Sequence, residues 1–363
     1  MKKIIFSFLI LLVVIAGSFI LFLSYIGLET SKFDYLIKNK VNEVNKKIKV
    51  GFYKTRIYLD VRDLKLIVKI QNPKILLLGN EIILSKLDLF VSLKSLYSSE
   101  FALEKTSIAF KENSIKDITK ITRVFLPKII NRHLSKIFLR GSLEGEFMIP
   151  FNKDGSINPK YKFYGKILNA KINLNKDYQL NNFNSDISYG NKLNNLLTIK
   201  VNQGSISNIN LSKSIINIEF QDNNKFVETS IQTQGNIKFK EIKNIFELFG
   251  FKLTQLKNIE LTSNLTTALS FNIKNNLKIK DLKYKTEGIL NKLYLKTDEI
   301  KKIKDVLPDF SSEITFKNTK LNFSNNIKNQ TLKLDGNIKF SNSYEKVKIL
   351  GNLNKKKNIY NYI

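Results

Sequence analysis

Cysteine and tryptophan are absent from the chain, and histidine occurs once, as His133. Without cysteine there is no disulfide framework, no thiolate metal site and no cysteine nucleophile. A histidine-based metal centre needs more than one imidazole or a thiolate beside it. His133 sits in a basic stretch of helical spacing and reads as a surface residue. No Walker loop, dinucleotide-binding glycine fingerprint or G-x-S-x-G elbow occurs in the sequence. Acidic side chains are scattered over polar positions, where solubility places them. No catalytic residue, cofactor or metal is expected, and the chain does not read as an enzyme.

Arginine is scarce as well. Against 60 Lys+Arg and 31 Asp+Glu, only Arg56, Arg62, Arg123, Arg132 and Arg140 are arginines. Readers of bases and phosphates lean on the bidentate guanidinium fork. A surplus made of dispersed lysine, in a chain also rich in Asn and Ile, reads as compositional bias. No nucleic-acid partner is expected. Of five prolines, all but Pro127 fall at turns or element ends, in keeping with proline's exclusion from central strands.

Residues 4–26, IIFSFLILLVVIAGSFILFLSYI, carry no charge. As a helix they span about 34 Å, against a hydrocarbon core of ~30 Å. A signal peptide has a shorter apolar region and a small-x-small site, and Ser24-Tyr25-Ile26 makes a poor one. The expectation is an uncleaved single-pass anchor over residues 1–28. With Lys2 and Lys3 before it, the N-terminus falls in the cytoplasm and the bulk outside.

Residues 29–50 have the spacing of a short connecting helix, through Phe33, Leu36, Ile37, Val41 and Val44. From 51 to 363 the pattern is β, with helical interludes near 117–138, 240–250 and 298–307. Alternating stretches run at 161–174, 183–189, 196–220, 226–240, 259–273, 277–296, 314–323, 331–340 and 346–353. The longest clean one is IELTSNLTTALSFNI, residues 259–273. Ile259, Leu261, Leu265, Leu269, Phe271 and Ile273 fall on one side, with Glu260, Thr262, Asn264 and Thr266 on the other. Period two marks a strand with one apolar and one wet face. At ~3.4 Å per residue it is roughly 50 Å long, where about 5–6 residues is usual. GNIKF occurs at both 235–239 and 336–340, and Gly-x-apolar units recur elsewhere. Glycine inside a strand marks a bulge or a close backbone approach, so glycines in successive strands let a sheet bend. The fold class expected is mainly β: an elongated, curved antiparallel sheet with a groove-like apolar face behind a transmembrane helix.

The order Lys-Lys, one membrane span, short helix and alternating strands continues through Asn72-Pro73-Lys74-Ile75 and LDLFVSLKSLYSSEFALEKTSIAF (87–110). Leu93, Leu96, Ser98, Phe101, Leu103 and Ile108 form its Leu-x-x-Leu, small-residue turn and second strand. This resembles the N-terminal region of the AsmA-like bacterial envelope protein family (AsmA/YhdP/TamB-type). The likeness covers roughly residues 1–175, with G-x-x-x-G-x-F at 141–147 and YGKILNAKINL at 164–174 similar to the family's repeated strand units. It implies a bridge-like lipid transfer protein: anchored in the inner membrane and conducting phospholipid acyl chains along a periplasmic β-groove toward the outer membrane. At 363 residues the chain is shorter than the family's large members; it is then a short member, a truncated reading frame, or a chain whose bridge an outer-membrane or periplasmic partner completes. Expected groove-wall residues are Leu143, Phe147, Ile231, Ile237, Leu261, Leu265, Leu269, Phe271, Ile273, Leu334 and Ile338. The alternative is a non-enzymatic scaffold or assembly factor for outer-membrane proteins, with a dry core and a pairing edge strand.

Overall fold

In KLIVKIQ, residues 65–71, every second side chain is β-branched or leucine, and Leu66, Val68 and Ile70 are 4%, 0% and 5% exposed. That segment is the centre of the first of two units into which the chain divides. They comprise residues 1–168 with 187–194, and residues 169–186 with 195–363. The computed structural model describes residues 2–31, 34–35, 37–39, 48–77, 80–93, 103–122, 137–152, 154–174, 178–190, 195–221, 224–239, 256–275, 278–297, 312–326, 329–339, 342–354 and 359–362. The protein is mainly β and antiparallel, with an apolar helix at its N-terminus.

The first unit begins with helix α1 (Lys2–Tyr25) and strands β1 (Leu28–Thr30), β2 (Ile48–Gly51), β3 (Lys54–Asp60), β4 (Lys65–Gln71), β5 (Lys74–Leu77), β6 (Asn80–Ser92) and β7 (Leu103–Ser114). Helix α2 (Ile115–Thr122), strand β8 (Phe138–Pro150) and the first part of β9 (Lys162–Asn173) complete it. Strands pair antiparallel in the order β1–β3–β4–β6–β7–β8, while β5 pairs with β2 and with the start of β6. The apolar side is closed. Ile37, Phe52, Ile75, Ile82 and Ile118 of α2 pack onto the cluster built from β4, β6 and Phe110.

Residues 6–25 of α1 have a mean hydropathy of 2.9 and none of that window is buried, so the helix is long and apolar enough to cross a membrane. It ends at Gly27, whose amide and that of Ile26 both bond to the Phe22 carbonyl, at 3.0 and 2.9 Å. Gly27 has φ +73°, and a β-carbon there would stand 2.8 Å from the Ile57 carbonyl oxygen. Only glycine fits this left-handed cap under a strand. The next residue, Leu28, already pairs with Ile57. Glu29 then ties down β3, accepting from Lys54 at 3.0 Å and Arg56 at 2.5 Å, and these two partners hold its carboxyl below the usual range. The expected helix over 29–50 is therefore bounded by strand at both ends. Only Asp34, Tyr35 and residues 37–39 are helical among the described positions between. Helical spacing missed β1 because three residues are too few to show a period.

The second unit takes in parts of β9 and β10 (Gln179–Tyr189) and an open antiparallel meander. Its strands are β11 (Leu196–Ile206), β12 (Ile209–Phe220), β13 (Asn224–Lys238), β14 (Leu256–Lys274), β15 (Ile279–Thr297), β16 (Glu313–Asn325), β17 (Asn329–Lys339), β18 (Tyr344–Asn354) and β19 (Ile359–Tyr362). Each pairs with the next. The stretch 196–220, read as one run, is two strands turning at Ser207 (φ 50°). β14 and β15 are 19 residues each.

Bulges interrupt three of these ladders, at Ser212/Ile215, Thr262/Ser263 and Lys317/Lys320. Facing or adjoining them are Gly235, Gly288 and Gly336, one on each of β13, β15 and β17. At Lys317/Lys320 the ladder kinks at an extra residue, and β17 meets the kink at Gly336, which has no side chain and stands against Thr319. The crease crosses the meander on alternate strands. Of the interludes, 123–136, 240–255 and 298–311 lie outside the described residues, and α2 occupies the start of the first.

Candidate functional site

Antiparallel partners put their side chains on the same face, so the registers of β13–β18 assemble the apolar face of the second unit row by row. One row reads Ile237, Leu261, Leu293, Phe316, Ile338. The next reads Thr233, Leu265, Gly288, Leu321, Leu334, Ile349. A third joins Ile231, Thr267, Thr286, Phe323 and Leu332. Beyond them Leu269 sits between Thr229 and Tyr284, and Phe271 opposite Val227.

The opposite face has another chemistry. Its rows run Thr262, Lys292, Lys317, Asn337, Lys346 and Asn264, Ile289, Lys320, Asp335, Lys348. The sheet is thus greasy on one side and lysine-coated on the other.

Threonines interrupt the apolar side without making it polar. Thr267 and Thr286 pair hydroxyl to hydroxyl at 3.1 Å, and Thr233 donates to the Leu265 carbonyl at 3.4 Å. With these three hydroxyls bonded within the sheet, their methyls are what the face presents, while the buried Thr229 hydroxyl beside Leu269 has no partner among the described residues. Burial likewise pushes the Tyr284 phenol up from its ordinary value.

Burial across this face is uneven. Leu290, Phe316, Leu334 and Ile338 are buried, at 4%, 6%, 8% and 3% exposure. Leu261, Leu265, Leu269, Phe271 and Ile273 are only half-buried. The buried four lie beside the crease, where bending crowds side chains together. Among the described residues this cluster is built from β14–β18 alone. The first unit's cluster instead draws on several strands, α2 and Ile37. The half-buried run along β14 leaves apolar surface beside this cluster that a long apolar ligand could cover.

The residues expected on a groove wall separate accordingly. Ile231, Ile237, Leu261, Leu265, Leu269, Phe271, Ile273, Leu334 and Ile338 share the one face of the second unit. Leu143 and Phe147 belong to the first unit and pack against its closed cluster, with the Phe147 ring 4.4 Å from that of Phe163 and 6.2 Å from that of Phe110. Leu290, Leu293, Phe316 and Leu321 lie in the alternating stretches 277–296 and 314–323 but were not among the expected wall residues. Bulges space Leu290 and Leu293 three apart, and Phe316 and Leu321 five apart, which breaks the period of two.

Among the described residues no group of three or more His, Asp or Glu side chains is placed to hold a metal ion. No family model, curated protein or solved structure matches the chain.

Proposed function

We propose that the chain is an AsmA-like, membrane-anchored lipid carrier in which the apolar face of β13–β18 shields phospholipid acyl chains. In this reading α1 crosses the bacterial inner membrane with its N-terminus in the cytoplasm. Both units then lie in the periplasm, and a periplasmic or outer-membrane partner completes the path to the outer membrane. The observation that carries the reading is the apolar face of β13–β18, on which Leu261, Leu265, Leu269, Phe271 and Ile273 of β14 are half-buried. An acyl chain laid along it gains about 0.8 kcal/mol per buried CH₂ and needs no specific polar contact. The polar face keeps the sheet in water. No side chain performs chemistry; lipid moves by diffusing along the wall.

Photo-crosslinking side chains placed singly at Leu265 and Thr266 test this in cells. The two are neighbours on β14, with Leu265 on the apolar face and Thr266 opposite Glu287 on the polar one. Capture of phospholipid at 265 and not at 266 supports the wall. Capture at neither, with 265 shielded from solvent, makes the face a dry packing surface and favours the assembly-factor reading.

A further inference from the structure

The junction at Gly27 leaves little slack between α1 and the first unit's sheet, and the registers then decide which end of that sheet stands beside the helix. Leu28 pairs with Ile57 and Thr30 with Thr55, so moving back along β1 toward α1 moves forward along β3 toward Asp60. The β3–β4 turn is therefore at the helix end. Lys65 pairs with Ser92, Val91 with Leu103, and Lys105 with Pro150. Those alternating directions bring the β8–β9 connection to the same end.

Both connections expose aliphatic side chains there. Val61 and Leu64 are 49% and 64% exposed, and Ile157 is 58% exposed. Leu64 has φ 49°, a conformation that a leucine adopts only at a cost. Each turn is held from within. Asp60 Oδ1 accepts from the Arg62 and Asp63 amides at 3.0 and 3.3 Å, and the Asn152 amide donates to the Ser156 carbonyl at 2.8 Å. Exposed Arg62 and Lys160 flank the aliphatic tips, and exposed Asp63 and Asp154 lie in the same two turns. Apolar tips ringed by charged side chains of both signs suit the zone where acyl chains meet polar headgroups.

We infer that this end of the first unit rests in the interfacial layer of the bilayer that α1 crosses, with Val61, Leu64 and Ile157 dipping below the headgroups. The anchor thereby gains a peripheral foot, and the sheet is held at a set height above the membrane. The inference rests on α1 being inserted, and its test separates the two.

Because the chain has no tryptophan, single substitutions report their own surroundings. Leu64→Trp and Ile157→Trp probe the foot. Phe19→Trp probes α1, and Ile83→Trp, 62% exposed at the opposite end of the sheet, is the solvent control. The full chain is reconstituted in phosphatidylcholine–phosphatidylglycerol vesicles with and without acyl chains brominated near the carbonyl. Quenching at 64 and 157 several-fold above that at 83, together with quenching at 19, is the expected result. Quenching at 19 with 64 and 157 no different from 83 overturns the foot and leaves the anchor. No quenching at 19 overturns both.

Discussion

Leu265 and Gly288 face each other across β14 and β15 so closely that a β-carbon on the glycine would stand 2.9 Å from the Leu265 Cα. Gly288 also has φ +150°, which no L side chain adopts without strain. Gly288→Ala should therefore cost about 3 kcal/mol, overpacking and backbone strain together. Urea unfolding in mild detergent, followed by circular dichroism, measures it. A loss under about 0.5 kcal/mol, the range of an ordinary surface change, would show that the crease is not held by this contact.

The uneven burial of the apolar face makes a second expectation. Phe316 is 6% exposed beside the crease, and Phe316→Ala should cost about 3–5 kcal/mol. Leu269 is half-buried, and Leu269→Ser should cost about 1 kcal/mol or less while reducing the lipid that copurifies with the chain. Equal costs at the two sites would mean that Leu269 is covered in the folded protein.

A third concerns acid. Asp88, between Lys69 and Ser107 in the first unit's ladder, is 6% exposed. Burial raises its pKa although the Lys86 amine is 3.6 Å away. For a raised pKa, the stabilising contribution is present below the unfolded value and is lost as pH rises through the folded one. Asp88→Asn should then be more stable than the parent at pH 7, the gap closing as pH falls through the raised folded value and gone below about 4. Glu146 is shifted the other way, held low by the Ser107 hydroxyl and Lys86. Glu146→Gln should lose stability at neutral pH and converge with the parent in acid. Denaturant midpoints collected from acid to neutral pH give both signs.

The fourth follows from Leu64. A glycine there relieves the left-handed strain, so Leu64→Gly should stabilise the first unit by about 1 kcal/mol. Thermal unfolding of the variant against its parent checks the sign. A loss of stability would mean that the leucine side chain supports the fold itself.

The strands were legible in the sequence because alternation is the direct imprint of the pleat. β14 needed no more than its own fifteen apolar and polar positions at 259–273. The registers put Ile231, Ile237, Leu334 and Ile338 on the same face as Leu261 and Leu265. Alternation failed where the ladder is irregular. Leu290, Phe316 and Leu321 were not among the expected wall residues because bulges at Thr262/Ser263 and Lys317/Lys320 shift the phase. Periodicity tells which way a side chain points and nothing of what lies over it. That is why Leu143 and Phe147, in a closed core, looked the same as Leu265 on a half-open face. Three-residue β1 was too short to leave any imprint.

The cap at Gly27 has a mechanical corollary. Once α1 is in a bilayer, its angle to the membrane normal passes through one stiff joint to the β1–β3 ladder. Tilt answers to bilayer thickness, since a helix too long for its hydrocarbon layer leans. Thickening or thinning the membrane would then swing the first unit like a lever on its fulcrum, and lipid composition would become a variable that aims the sheet.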